Sequence, residues 1–501
     1  MSRRFGQRRW ATWAMIAALS AFLLSRTAGG VIDLDLFHEM ALAREAIQLG
    51  YVPWSDSFAY TPTVPIVVHH EWGLGMLALM LARVVGASGI IVLKFLLIYG
   101  VAAVVWTTAK NRRASPIVAG FFAALAIVLS DFGFATVRAQ MFSYLFAALL
   151  LWGFDQDRKG KRQWLWGIAF LFPVWANFHG GCLVGAALFA MHWLEQVLRR
   201  QPHWHLTVIG LALIPLAAIN PWGFHFHQYL VHAILMPRPA IAEWSPLWDP
   251  ENRAQLVNFV MSLLPLLLIL RNLGWKKLPG ILIVLATAVA ALKSNRFLPF
   301  YAVAFASYLP GPFSQMPLGK ELRRLWWRFQ PAWCVGLGLA AITLVLSSLS
   351  AEPWRLQVAS HPLRHQGRHL IYPVGAVDYL AKHDFAGNVM VPYDWGSYVM
   401  WKLTPKVKVS FDSRYEVAYP LGRLEEDDCL YQGLPGWEHV LGKYPTDIVL
   451  ARADLNIVGL LSKHAGWRKI YADQQFVLFA RDGIDLPLSE TDAPAREGTF
   501  P

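Results

Sequence analysis

The sequence predicts a mostly α fold, a polytopic helical membrane bundle followed by a smaller extracytoplasmic α/β domain, and three observations carry that reading. The 501 residues are 55% hydrophobic and only 16% charged, with a mean hydropathy of +0.37, whereas soluble proteins carry roughly a quarter charged residues. Apolar runs of fifteen to twenty residues recur through the first 350 positions, the length that crosses hydrocarbon. The net charge of +12 is divided unevenly: residues 1–350 hold 29 Lys and Arg against 14 Asp and Glu, and residues 351–501 hold 16 against 19. The basic excess therefore belongs to the apolar part, where it marks a topology; no nucleic-acid partner is expected.

Basic clusters separate the apolar runs: RRFGQRR at 3–9, KNRR at 110–113, DRKGKR at 157–162, RR at 199–200, RNLGWKK at 271–277 and KELRRLWWR at 320–328. The positive-inside rule places such short loops in the cytoplasm. With these anchors, spans are expected near 10–26, 88–108, 115–131, 139–154, 163–178, 181–198, 206–220, 254–270, 279–293, 297–310 and 331–349. That makes eleven spans, with the N-terminus in, the C-terminus out, and residues 1–350 as the membrane domain. The first run follows Arg8 and Arg9 without a small-residue cleavage site, so it reads as an uncleaved anchor. Residues 72–86 are apolar enough to cross, but counting them would put KNRR outside, so they read as interfacial or re-entrant. Cys182, Cys334 and Cys429 are too scattered for a disulfide framework.

From 351 to 501 the apolar stretches shrink to strand length. NVMVPY, KVKVSFD, DIVLA, RKIYA and QFVLFA read as strands, and 375–384 and 454–464 have helical spacing. The last fifteen or so residues lack an apolar pattern and read as a disordered tail. No Walker or dinucleotide glycine fingerprint is present, which disfavours an ATP-driven pump.

The first outward loop, 27–71, carries the densest chemistry. Asp33 and Asp35 follow the first span, where a carboxylate held against an acceptor hydroxyl can take its proton. They equally suit capping of a helix beginning near Phe37. His38, His70 and Glu71 share the loop, and Asp33, Asp35, His70 and Glu71 have the ligand types for a divalent metal such as Mg or Mn. Hydrogen bonding of His70 and Glu71 to the aspartates is preferred over a metal. Other outward loops supply Arg138 and Gln140 in RAQMFSY, Asn177 and His179 in WANFHGG, Glu243 and Trp244 in IAEWSPLW, and Arg296 in KSNRFLPF. Ionisable residues at a membrane are costly and mark pathways or sites. Arg138 and Arg296 suit bidentate capture of a phosphate, with snorkelling to the interface as the alternative. In the C-terminal domain, Asp412 and Arg414 end a strand, and Trp395 has a face suited to a sugar; a structural Asp412–Arg414 pair is the alternative.

These residues resemble the GT-C superfamily of integral membrane glycosyltransferases, which includes the aminoarabinose transferases of lipid A and the protein O-mannosyltransferases. The resemblance is closer to a set of bacterial membrane proteins with the pattern D-x-D-L-x-x-H, G-x-x-P, D-x-F-S/A-Y-T and HEW, seen here as DLDLFHEM, GYVP, DSFAYT and HHEW. RAQMFSY, WANFHGG, INPWG, EW, NRFLPF, DWGSYVMW and FDSRYE match later elements, so the resemblance spans nearly the whole chain. It implies a polyprenyl-phosphate-linked sugar donor, a site on the outer face and inversion at the anomeric carbon. The acceptor is then a lipid, polysaccharide or protein of the envelope. Asp35, or Asp33, would be the general base. Leu36 follows Asp35 where many relatives have an Asp-Glu pair, Ala139 replaces a frequent proline, and Asp131 lies too early to be a second catalytic acid. A transporter or flippase is the competing class, but its charges normally sit near the bilayer midplane; a non-catalytic glycan-assembly protein is the third.

Overall fold

The computed structural model describes residues 2–236, 238, 241–360, 371–492 and 497–501. The chain forms two compact units, one of Met1–Gly29 with Val92–Pro353, the other of Gly30–Ile91 with Trp354–Pro501.

The first unit is helical. Each of the eleven expected spans falls on a helix: Ser2–Thr27, Ala87–Asn111, Pro116–Ser130, Gln140–Asp157, Trp164–Phe178, Cys182–Leu198, Trp204–Ala217, Arg253–Leu273, Ile281–Lys293, Leu298–Tyr308 and Gln330–Leu349. Among the described residues, Ala87–Asn111, Pro116–Phe134, Pro250–Leu273 and Gln330–Leu349 are long and apolar enough to cross a membrane. Several of the others are shorter apolar helices. Leu298–Tyr308 is buried along its whole length and lies on Pro116–Ser130, with Phe122 4.8 Å from Phe305. Gln330–Leu349 instead exposes Val335, Leu339, Ile342 and Leu346, an apolar outer face that hydrocarbon, not water, would solvate.

The second unit shows that the stretch read as a loop, 27–71, is built structure. Leu34–Leu49 is a helix that starts three residues earlier than expected because Asp33 caps it, accepting from the Asp35 amide at 3.1 Å. Trp72–Val85, the ambiguous segment, is a helix packed on Leu34–Leu49. Gly75 makes the crossing close, since a Cβ there would meet the backbone carbonyl of Glu39. Helix Tyr393–Leu403 packs on the other side of Leu34–Leu49. There Phe37 meets Tyr372 and Tyr398 edge-on at 5.1 and 5.2 Å, and Arg44 donates to the Trp401 carbonyl at 3.0 Å.

The C-terminal sheet comprises β1 (Gly387–Met390), β2 (Val407–Val409), β3 (Ile448–Arg452), β4 (Trp467–Ala472), β5 (Phe476–Arg481) and β6 (Ser489–Glu490), in the order β2-β1-β3-β5-β4-β6. β1 pairs parallel with β2 and β3, β5 lies antiparallel to β3 and β4, and β6 pairs parallel with β4. The five strands read from sequence are β1 to β5. β3 and β5 are buried on both faces, hence continuous apolar runs instead of alternation. Leu430, Leu441, Ile457 and Leu461 cover one face over Met390, Val449 and Phe479. The reading of the tail needs correction: β6 lies within it, and Gly498 bridges to Val358. Residues 493–496 of that tail lie outside the described residues.

Candidate functional site

The candidate residues fall into two constellations, one in each unit. In the helical unit, segment 243–247 lies along 292–296: Ser294 donates to the Glu243 carbonyl at 3.2 Å, Asn295 N to Ser245 O at 3.0 Å, and Leu247 N to Leu292 O at 3.0 Å. Asn252 locks this pairing by donating to Ser245 Oγ at 2.8 Å and accepting from Asn295 at 3.2 Å. The result aims Arg296 and Glu243 at each other, Nη1 to Oε2 3.4 Å. Arg138, just before helix Gln140–Asp157, donates to the other carboxylate oxygen, Glu243 Oε1. Three residues from distant segments thus meet as two guanidiniums on one carboxylate, partly exposed at 17, 21 and 27% for Arg138, Arg296 and Glu243. Burial favours the neutral acid, but Arg138 and Arg296 outweigh it and hold Glu243 below the usual carboxylate range. Trp244 lies under Arg238 and Arg296, with ring distances of 4.3 and 5.1 Å. Gln140 reaches the Arg296 carbonyl at 3.5 Å.

His179 is not among them. It is buried, its Nδ1 accepting from Gly181 N at 2.9 Å and meeting Ser143 Oγ at 2.8 Å, and Trp175 Nε1 donates to the same serine at 2.7 Å. This is a helix-joining network, as is the Asn177 bond to the Ile219 carbonyl at 2.6 Å.

In the second unit, Asp33 is a helix cap, and Asp35 stands one residue into helix Leu34–Leu49. Asp35, His38 and Glu39 share one helical face by their i, i+3, i+4 spacing. His38 Nδ1 lies 3.9 Å from Asp35 Oδ1 and 2.8 Å from Ser413 Oγ, which in turn meets Ser397 Oγ at 2.7 Å. Burial, aided by the nearby Arg414 guanidinium, pushes His38 down to about 4, so its ring is neutral at pH 7. Tyr372 donates to the Ile32 carbonyl at 2.9 Å, and burial, with Asp33, Asp35 and Asp394 adding their charge, raises its hydroxyl well above its ordinary range.

Glu39 was missed by sequence reasoning, although its helical spacing from Asp35 was the available signal. It is 2% exposed, and among the described residues no backbone amide or basic side chain donates to either carboxyl oxygen. Its neighbour is Glu71, and ligand atoms of His38, Glu39 and Glu71 lie within 4.8 Å of one another. Two facing carboxyls need a proton or a cation between them. Burial and then the Glu71 charge push Glu39 well above the ordinary range, which is the protonated solution. Of the four residues whose types suit a metal, only Glu71 belongs to this trio; His70 Nε2 lies 3.3 Å from Glu71 Oε1.

The C-terminal motifs are buried. Arg414 grips Asp412 through Nε at 2.8 Å and Nη2 at 2.6 Å, and reaches Asp56 at 2.5 Å; all three side chains are at most 2% exposed. Tyr419 donates to Asp412 at 2.7 Å, and Asp56 accepts from the Phe58 and Ala59 amides. The DSFAYT and FDSRYE motifs are therefore two halves of one buried ion network. Trp395 is corrected likewise. It is 5% exposed, donates to the Ile371 carbonyl at 2.7 Å and sets its ring edge-on to Phe476 at 5.0 Å, so its ring is largely covered among the described residues. The glycine of DWGSY is needed because a Cβ at Gly396 would strike the Phe411 carbonyl.

No family model matches the sequence, and no curated protein matches it. Solved structures do. ArnT from Cupriavidus metallidurans, in its crystal structure bound to undecaprenyl phosphate, superposes with a TM-score of 0.56 at 13% identity, covering 94% of this chain and 98% of that one. The same protein in its apo state gives 0.57 at 13% identity, covering 94% and 97%. The chain therefore has, across nearly its whole length, the fold of ArnT.

Proposed function

We propose that the chain is a multi-pass membrane glycosyltransferase that moves a sugar from a polyprenyl-phosphate carrier to an envelope acceptor on the outer face of the bacterial inner membrane, with inversion. The carrying observation is the convergence of Arg138 and Arg296 on Glu243, in a chain whose fold is that of a protein crystallised with undecaprenyl phosphate. In the proposed reaction, the acceptor oxygen bonds to the anomeric carbon as the bond from that carbon to the phosphate oxygen breaks. The electron pair of that bond leaves with the polyprenyl phosphate, whose negative charge grows by one. Two guanidiniums with one carboxylate between them keep a net positive charge to meet it. Asp35 takes the acceptor proton. It is taken over Asp33 because its spacing to the following helix matches the first-loop acid of the superfamily that the sequence resembles.

The residues that would hold a divalent cation are His38, Glu39 and Glu71, an imidazole with two facing carboxyls. Such an ion would add positive charge near the acceptor. Without it, this chain's own residues hold a proton between Glu39 and Glu71.

The reading is tested by comparing lipid extracts of a strain lacking the chain with those of wild type. A polyprenyl-linked sugar that accumulates in the deletion strain, together with loss of that sugar from one envelope glycan, is expected. Unchanged lipid-linked sugars and unchanged glycans would overturn the proposal.

A further inference from the structure

Three basic loops, first read only as cytoplasmic anchors, enclose one cavity in the helical unit. It has a volume of about 720 Å³ and is lined by Arg158, Arg162, Arg199, Arg200 and Lys276, with Asp157 the carboxylate at its wall. That acid is engaged by His192 at 2.9 Å and His205 at 2.7 Å. Neighbouring Glu195 takes Arg158 and Arg199 at 3.0 Å each. The cations thus outnumber the acids along this wall. Arg199 ties the walls together by donating to the carbonyls of Trp275, Lys276 and Leu278. The cavity edge is apolar as well, with Trp275 47% and Leu198 56% exposed.

This site is distinct from the Arg138, Arg296 and Glu243 constellation. Arg138 precedes helix Gln140–Asp157 and Arg158 follows it, and eighteen residues at 1.5 Å each separate the two ends by about 27 Å. Ile281–Lys293 repeats the relation between Pro279, in the cavity wall, and Arg296.

The geometry points to a binding site for the phosphate of an anionic membrane lipid, with its headgroup among Arg158, Arg162, Arg200 and Lys276 and its acyl chains along Trp275 and Leu198. The shared chemistry is a phosphate. The exposed tryptophan and leucine at the rim favour the lipid over the free ion, since an aromatic ring with an apolar neighbour is what membrane interfaces select, and basic pockets between helices on the cytoplasmic side suit anionic headgroups.

The test uses the purified full chain, delipidated in detergent and examined by native mass spectrometry with dioleoyl phosphatidylglycerol, dioleoyl phosphatidylcholine or inorganic phosphate. Wild type is expected to retain phosphatidylglycerol about tenfold better than phosphatidylcholine, and phosphate is expected not to displace it. The triple variant R162Q/R200Q/K276Q replaces exposed side chains, so it should unfold at the wild-type temperature yet lose the preference. R323Q/R324Q/R328Q, which removes three exposed cations elsewhere, should keep it. Equal retention of both lipids, loss of preference in both variants alike, or displacement by inorganic phosphate would overturn the lipid site.

Discussion

Replacing Arg138 with Gln tests whether the two arginines serve a phosphate or only their shared glutamate. Arg138 and Glu243 are 17 and 27% exposed, so the pair is partly desolvated and a charge-assisted bond from Arg138 is worth about 1.5–3 kcal/mol. If that bond is made to the leaving phosphate as its charge grows, R138Q lowers kcat/KM by about tenfold to 150-fold. Glu243→Gln removes the carboxylate but leaves both guanidiniums. It loosens their aim while raising the positive potential, and a net change below about fivefold, roughly 1 kcal/mol, is expected. The assay is release of polyprenyl phosphate by the purified variants from the lipid-linked sugar that accumulates in the deletion strain. The double variant should behave as R138Q does. Equal losses in R138Q and E243Q with no further loss in the double variant would make the three side chains a structural unit, and the clamp would be refuted.

Asp427 is 5% exposed, with Oδ1 unpartnered, and burial pushes it from an ordinary 3.8 up to about 7, against the pull of Arg423. A raised folded value means that its contribution is fully present below 3.8 and lost as pH rises through about 7. Asp427→Asn should therefore stabilise the chain at pH 8 by at most about 4 kcal/mol and flatten the fall in Tm between pH 4 and 8; an unchanged profile would count against the buried proton. Arg414→Met strands the carboxylates of Asp56 and Asp412 and should cost about 3–5 kcal/mol in denaturant unfolding, whereas a loss below about 1 kcal/mol would show that water reaches the network. Mn2+ added to the chelator-treated chain should raise Tm for wild type but not for Glu71→Gln; an equal rise in both would place the ion elsewhere.

The spans and strands were legible because burial imposes period and length on the sequence: eleven apolar runs became helices, and β1 to β5 lay where short apolar runs ended in turn residues. Arg138, Glu243 and Arg296 were legible as costly charges between apolar runs, but their meeting was not, since it depends on pairing of 243–247 with 292–296. The second unit was harder. Leu34–Leu49 contains both Asp35 and Glu39, yet its start is set by a cap, and the same aspartates that suit a base also suit capping. The Glu39–Glu71 encounter requires two helices brought together at Gly75. Asp412, Arg414 and Trp395 have the residue types of a site, and their burial was not legible in the sequence. β6 escaped because two residues carry no period.

The central claim, a sugar transfer with Asp35 as base, is tested most directly by polyprenyl phosphate release from the accumulated lipid-linked sugar by purified wild type, Asp33→Asn and Asp35→Asn. The account predicts loss of release by about 100-fold to 10,000-fold in Asp35→Asn, the range of a lost general base, with the same unfolding temperature as wild type and substantial release by Asp33→Asn. Release at the wild-type rate by both variants would contradict it.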